Sequence, residues 1–263
     1  MIKLLGIPYD LNSSFLRGAA LAPPRIRLME TDGSANTFAE LGLDVKEGEV
    51  YQDLGDLSLA GLSPKEAFQA IKTAVAEHIA DGSKLVSLGG DHSIAYPILD
   101  AYTDKFPGLN ILQIDAHGDL YEDFEGNPYS HASPFARILE TGKVGSLIQV
   151  GNRCLTTHQR EQAKRFGVDI VEMKDFSMDF LVRLQAPLYV TIDLDALDPA
   201  FAPGVSHHEP GGISSRDLFN IIQSIPVKIV GADIVELNPT RDTNNRTAMV
   251  AYKALKEVMA KLA

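Results

Sequence analysis

Short apolar runs recur along the chain at 2–7 (IKLLGI), 84–88 (KLVSL), 109–114 (LNILQI), 146–150 (SLIQV), 187–192 (PLYVTI) and 227–235 (VKIVGADIV), and a stretch with helical spacing separates each from the next. Runs this short, apolar at successive positions and rich in β-branched or aliphatic residues, read as strands buried on both faces. Such strands alternating with helices form parallel β-α-β units, with helices covering both sides of the sheet. The helical segments lie at 64–80, 93–103, 132–141, 157–167, 214–224 and 245–262. The first follows Ser63-Pro64, an N-cap with proline in the first turn, and places Ala67, Ile71, Ala74, Val75 and Ile79 on one face. The expected fold class is therefore α/β, one three-layer domain over 1–263 around a mainly parallel sheet of about eight strands. Pattern alone leaves both an open sheet and a closed barrel available.

Charge narrows the function. Twenty-four Lys and Arg stand against 35 Asp and Glu, a formal net charge of −11. That balance argues against nucleic acid or an anionic membrane as partner, and no run reaches the ~20 apolar residues of a membrane helix. The single cysteine, Cys154, has no partner for an internal disulfide, and the start MIKLLGIPYD lacks the apolar stretch of a secretory signal. Together these predict a reducing, cytoplasmic setting.

Where the acids sit is the next constraint. Parallel sheets and barrels build their sites at the carboxyl ends of strands, and that is where this chain concentrates acids and histidines. Gly89-Gly90-Asp91-His92 follows 84–88, Asp115-Ala116-His117-Gly118-Asp119 follows 109–114, Asp193-Leu194-Asp195 follows 187–192, and Glu236 follows 227–235. Asp115 and His117, like Asp193 and Asp195, are two residues apart, so at an extended strand end each pair projects to one side. Carboxylates gathered this densely repel unless cations neutralise them. His92, Asp115, His117, Asp119, Asp193 and Asp195 make six candidate ligands, better matched to two ions sharing carboxylates than to one. Carboxylates with imidazoles and no thiolate favour manganese, with iron, cobalt, nickel and zinc also compatible. A two-ion centre of this kind implies metal-assisted hydrolysis.

At these same residues the chain resembles a known family. SLGGDHS at 87–93, IDAHGDLY at 114–121 and TIDLDALDPAFAPGVSHHEPGG at 191–212 look like the three signature segments of the ureohydrolases, the arginase and agmatinase superfamily. NSSFLRGAALAPPRIR at 12–27 and GADIVELNPTRDTNNRTAMVA at 231–251 are particularly similar to plant-type arginases. The resemblance covers nearly the whole chain. It implies an open eight-stranded sheet rather than a barrel, two Mn2+ per subunit, and a homotrimer or homohexamer. It assigns His92, Asp115, Asp119 and Asp193 to one ion and Asp115, His117, Asp193 and Asp195 to the other. The implied reaction is attack of a metal-bridging hydroxide on the guanidinium carbon of a small cationic substrate, releasing urea and an amine. Glu236 would pair with the guanidinium, Asp119 would pass a proton to the leaving amine, and His131 in YSHASPF would shuttle protons at the cleft mouth.

Specificity is expected from the loop LYEDFEGNPYSH at 120–131. Animal arginases bind the substrate carboxylate with an asparagine where this chain has Tyr121, so Asn127 and Ser130 are the expected replacements. L-arginine is the first choice of substrate, with agmatine or another guanidino acid as the alternatives and a single-metal deacetylase-like amide hydrolase as a distant one. In the loop 204–212, His207 and His208 are expected chiefly to pack the loop, Asp198 to brace it, and Asp91 to orient a ligand.

Overall fold

In a computed structural model describing residues 1–263, eight strands form one sheet in which every neighbouring pair runs parallel. The strands are β1 (Ile2–Gly6), β2 (Tyr51–Asp56), β3 (Lys84–Leu88), β4 (Leu109–Ile114), β5 (Val144–Asn152), β6 (Asp169–Glu172), β7 (Leu188–Asp193) and β8 (Ile229–Val235). Their spatial order, β2-β1-β3-β8-β7-β4-β5-β6, leaves two open edges. The sheet is therefore open, as the resemblance implied.

The six strands expected from apolar runs are all present. The two that the runs do not announce, β2 (YQDLGD) and β6 (DIVE), are the two edges. An edge strand has one neighbour and a solvated flank, so it does not need the apolar run that marks a central strand. By contrast, β4, β7 and β8 are buried at every position.

Seven helices cover the faces: α1 (Ala22–Thr31), α2 (Pro64–Ile79), α3 (Ala95–Lys105), α4 (Pro134–Glu140), α5 (Thr157–Phe166), α6 (Ser215–Ser224) and α7 (Arg246–Leu262). Alternate strand residues feed two cores. Leu112 and Ile114 pack with Ile26, Leu218, Ile222 and Leu255 of α1, α6 and α7, while Leu109 and Ile111 pack with Ile71, Ile98 and Ile138 of α2, α3 and α4. The capping box of α2 is formed: Ser63 N donates to the Glu66 carboxylate at 2.9 Å, and Glu66 N donates to Ser63 Oγ at 3.4 Å. Helix α1 is an addition to the sequence reading, because Pro23 and Pro24 in its first turn resemble a loop although proline is accommodated there. No helix is long and apolar enough to cross a membrane.

One topological feature positions the site. The chain passes from β3 to β4 across two positions that β8 and β7 later fill. The strand order reverses there, and open parallel sheets leave a crevice at the carboxyl ends of the strands around such a reversal.

Candidate metal centre and active-site cleft

The register of the four central strands sets the site level. Leu88 pairs with Ile234, Ile234 with Ile192, and Ile192 with Ile114, so these four residues form one row across the sheet. Asp115 and Asp193 each lie one residue beyond that row, and Glu236 two. Residues separated by up to 144 positions in the chain meet there: His92 N donates to Glu236 Oε1 at 2.9 Å.

Gly90 permits this approach. A Cβ at Gly90 would lie 1.9 Å from the carbonyl oxygen of Tyr9, and the Gly90 carbonyl accepts the amide of Glu236 at 2.8 Å. Gly90→Ala must therefore push backbone against backbone. We expect it to lose about 1–3 kcal/mol of stability, read as a lower urea midpoint at unchanged slope. An unchanged midpoint would mean the neighbouring chain yields freely.

The six candidate ligands come together as two overlapping groups. Ligand atoms of His92, Asp115 and Asp119 lie within 4.8 Å of one another, as do those of Asp115, His117 and Asp195, so Asp115 is shared. Asp193 joins the first group, its Oδ2 3.2 Å from His92 Nδ1, while its Oδ1 accepts the Asp195 amide at 2.8 Å. All four aspartates are buried, at 0–6% exposure.

Burial and mutual repulsion disfavour the ionised cluster. Burial, then the charge of Asp115, pushes Asp119 up to about 6. Burial, then Asp195 and Asp115, raises Asp193 well above the carboxylate range. Burial also opposes charge on His92 and His117, but the surrounding carboxylates overcome it and raise both. The cluster must hold either protons or cations, and the donor geometry is one that would fit cations. His92 Nε2 lies 2.9 Å from Thr191 Oγ1, whose own proton goes to Asp233 at 2.6 Å, so Nε2 carries a hydrogen, and in the neutral ring that a cation would select Nδ1 presents its lone pair. That Nδ1 is buried without a hydrogen-bond partner, 3.0, 3.1 and 3.2 Å from oxygens of Asp115, Asp119 and Asp193. A lone pair facing three carboxylates suits a cation, and the Thr191–Asp233 relay is the outer support that metal-ligating histidines require.

Beside the cluster, His131 Nδ1 lies 2.8 Å from Glu236 Oε1 and His131 Nε2 lies 2.8 Å from Ser14 Oγ. Burial opposes the imidazolium, but the Glu236 charge outweighs it and lifts His131 to about 9. Asp119 (φ 49°) and Glu236 (φ 65°) both adopt the left-handed backbone region that side chains disfavour. Such strain gathers at functional sites.

A cleft of about 200 Å³ opens onto both groups, lined also by Ser14, Tyr121, Phe124, His131, Cys154, Gln159 and His207. Two specificity candidates do not line it. The side-chain oxygen of Asn127 accepts the Tyr129 amide at 3.0 Å and its nitrogen reaches Asn12 at 3.4 Å, while Ser130 is buried with its hydroxyl accepting the Ala132 amide. Both side chains are committed to holding their own loop. His207 departs from the loop-packing expectation: its ring stands 5.4 Å from that of His131 and 5.8 Å from that of His117. His208 does pack the loop, its Nε2 donating to the Pro203 carbonyl at 2.7 Å. Asp198 braces the loop through the amides of Ala200 and Gly211. Asp91 accepts the amides of Ser93 and Asn12, tying the segment after β1 to the His92 turn. Ser14 carried no sequence signal. Asp233 did, as an acid inside the otherwise apolar β8.

Comparison with known proteins agrees with this geometry. The model of the Arginase family matches residues 1–261. "Arginase 1, mitochondrial" of Arabidopsis thaliana is 47% identical over 99% of this chain and 80% of its own length. An agmatinase of Bacillus anthracis is 32% identical over 98% of this chain and 90% of its own. The solved arginase of Medicago truncatula superposes with a TM-score of 0.94 at 44% identity, covering 99% of this chain and 87% of that one.

The mitochondrial designation of the Arabidopsis relative overturns the cytoplasmic expectation. A lone thiol rules out an internal disulfide but does not name a compartment. The aspartate and histidine turns at the strand ends, the open sheet that aligns them and the end-to-end family match lead to one assignment: the chain belongs to the arginase family and is a ureohydrolase.

Proposed function

We propose that residues 1–263 act as one catalytic domain, a dinuclear manganese hydrolase that converts L-arginine to L-ornithine and urea. The observation that carries this reading is the pair of histidine–aspartate groups sharing Asp115, with the Glu236 carboxylate beside them in one cleft. His92, Asp115, Asp119 and Asp193 would hold one ion, and Asp115, His117, Asp193 and Asp195 the other. When bound, two manganese ions would neutralise the carboxylates and supply an activated water at neutral pH.

The protein's own groups do the rest. Glu236 is buried and fixed by the His92 amide, so its carboxylate presents a rigid partner for the paired N–H groups of a planar guanidinium. Its present partner is His131, so an arriving guanidinium and the imidazolium compete for one carboxylate. His131, with Ser14 on its other nitrogen, is then placed to move protons between the cleft and its mouth. Asp119 carries a proton to the leaving amine. Tyr121, Phe124 and Gln159 meet the far end of the substrate.

Identity to plant arginases favours L-arginine. Agmatine is the competing substrate, favoured by a cleft walled by acids, imidazoles, Tyr121 and Phe124, with Arg and Lys contributing nothing to its lining. The homo-oligomer is part of the same proposal, and Leu21, Leu28, Phe38 and Leu41 give it exposed apolar surface. The test is urea release from arginine, agmatine, guanidinobutyrate and formiminoglutamate by the manganese-loaded protein, with formamide followed for the last. Arginine is expected to show the highest kcat/KM. A higher value for agmatine would reassign the substrate, and no turnover on any of them with two ions bound would overturn the reading.

A further inference from the structure

Arg153 directly follows β5, is half-buried, and forms no salt bridge, yet its guanidinium uses all five N–H groups. Nε donates to the Glu209 carbonyl at 2.9 Å, and Nη1 to those of Gly151 and Ala196, both at 3.1 Å. Nη2 donates to the carbonyls of Asp195 at 2.7 Å and Glu209 at 2.5 Å, with Leu197 at 3.4 Å. Its own amide donates to the carbonyl of Ala116, between Asp115 and His117, at 3.0 Å. A charged side chain is thus spent entirely on main-chain oxygens from three segments: the end of β5, the 195–197 turn, and the loop that carries His207.

These contacts fall unequally on the two ligand groups. Asp195 Oδ1 accepts the Ala116 amide at 3.2 Å and its Oδ2 lies 3.0 Å from His117 Nδ1. Arg153 grips this group from both sides, through Ala116 by its amide and through the Asp195 carbonyl by its side chain. It makes no hydrogen bond to His92, Asp119 or Asp193. We propose that Arg153 is a positioning residue that locks the Asp195 turn to the β4 end, and so sets the affinity of the Asp115–His117–Asp195 site while leaving the His92 site intact. This rests on the two-ion reading above. A planar fork with five fixed donors can span these carbonyls; an ammonium with three donors on one atom cannot. Lysine is therefore not expected to substitute.

The test is manganese binding by Arg153→Met and Arg153→Lys beside the wild type, followed by calorimetric titration and by electron paramagnetic resonance. The wild type is expected to bind two ions with an exchange-coupled spectrum. Both variants are expected to keep one ion at wild-type affinity and to bind the second about 10–100-fold more weakly, with an uncoupled manganese signal at limiting metal. Two ions at wild-type affinity in either variant would overturn the proposal. So would equal weakening of both ions, which would make Arg153 a support of the fold rather than of one site. Fewer than two ions in the wild type would instead overturn the two-ion reading.

Discussion

Asp195→Ala is expected to lower metal content and turnover together, taking the loaded protein from two ions toward one and kcat/KM down by at least about 10²-fold. The reasoning is local and electrostatic. Asp195 Oδ2 lies 3.0 Å from His117 Nδ1, and with Asp115 these residues make up the second ligand group. Alanine takes one carboxylate from that group and leaves Asp115 and His117 to hold the cation with less charge, whereas His92, Asp115, Asp119 and Asp193 are unchanged. The substitution also removes the acceptor for the Ala116 amide, a buried donor that then loses its partner at a cost of about 1–3 kcal/mol. Metal analysis after gel filtration, with urea release on the same samples, checks the result. Full activity with two ions would exclude Asp195 as a ligand.

Glu236→Gln should behave oppositely, keeping two ions and losing turnover. Glutamine retains the shape and an acceptor for the His92 amide, so the turn that carries His92 keeps its anchor. It lacks the charge. A guanidinium facing a neutral amide in a buried cleft forfeits the paired, charge-assisted contact. Truncating one partner of a buried charged pair costs about 2–5 kcal/mol, and the middle of that range, about 3–4 kcal/mol, is roughly 10²–10³-fold in kcat/KM. His131 should respond as well, because the Glu236 charge is what holds it up at about 9 against burial. With that charge gone, burial pulls the imidazole down, which a histidine-selective NMR titration would register. A fully active variant would remove Glu236 from substrate binding.

Both predictions rest on residues legible in sequence order, and the reason is geometric. A spacing of two at an expected strand end announces Asp115–His117 and Asp193–Asp195 as pairs without knowledge of the fold, although Asp195 reaches its place on a 3-10 turn, Leu194–Ala196, and not on extended backbone. The central strands declare themselves too, because burial on both faces demands apolar residues at most positions. The two edge strands are hidden for the converse reason, and α1 is hidden because its prolines are compatible with both a loop and a first helical turn.

The sequence by itself determined an α/β chain with parallel strands, the strand ends at which acids and histidines gather, and hence a candidate metal site. These follow from periodicity and spacing, which act over a few residues. Tertiary structure alone decided which turn faces which. Only the strand order sets β3, β8, β7 and β4 side by side, bringing Glu236 onto the His92 amide and making Asp115 the shared member of both groups. Only packing turns Asn127 and Ser130 into loop supports, admits Ser14 and His207 to the cleft, and spends the guanidinium of Arg153 on carbonyls of distant turns. Contacts between residues tens to hundreds of positions apart leave no periodic trace in a chain, because they depend on where the intervening segments end and not on what those segments contain.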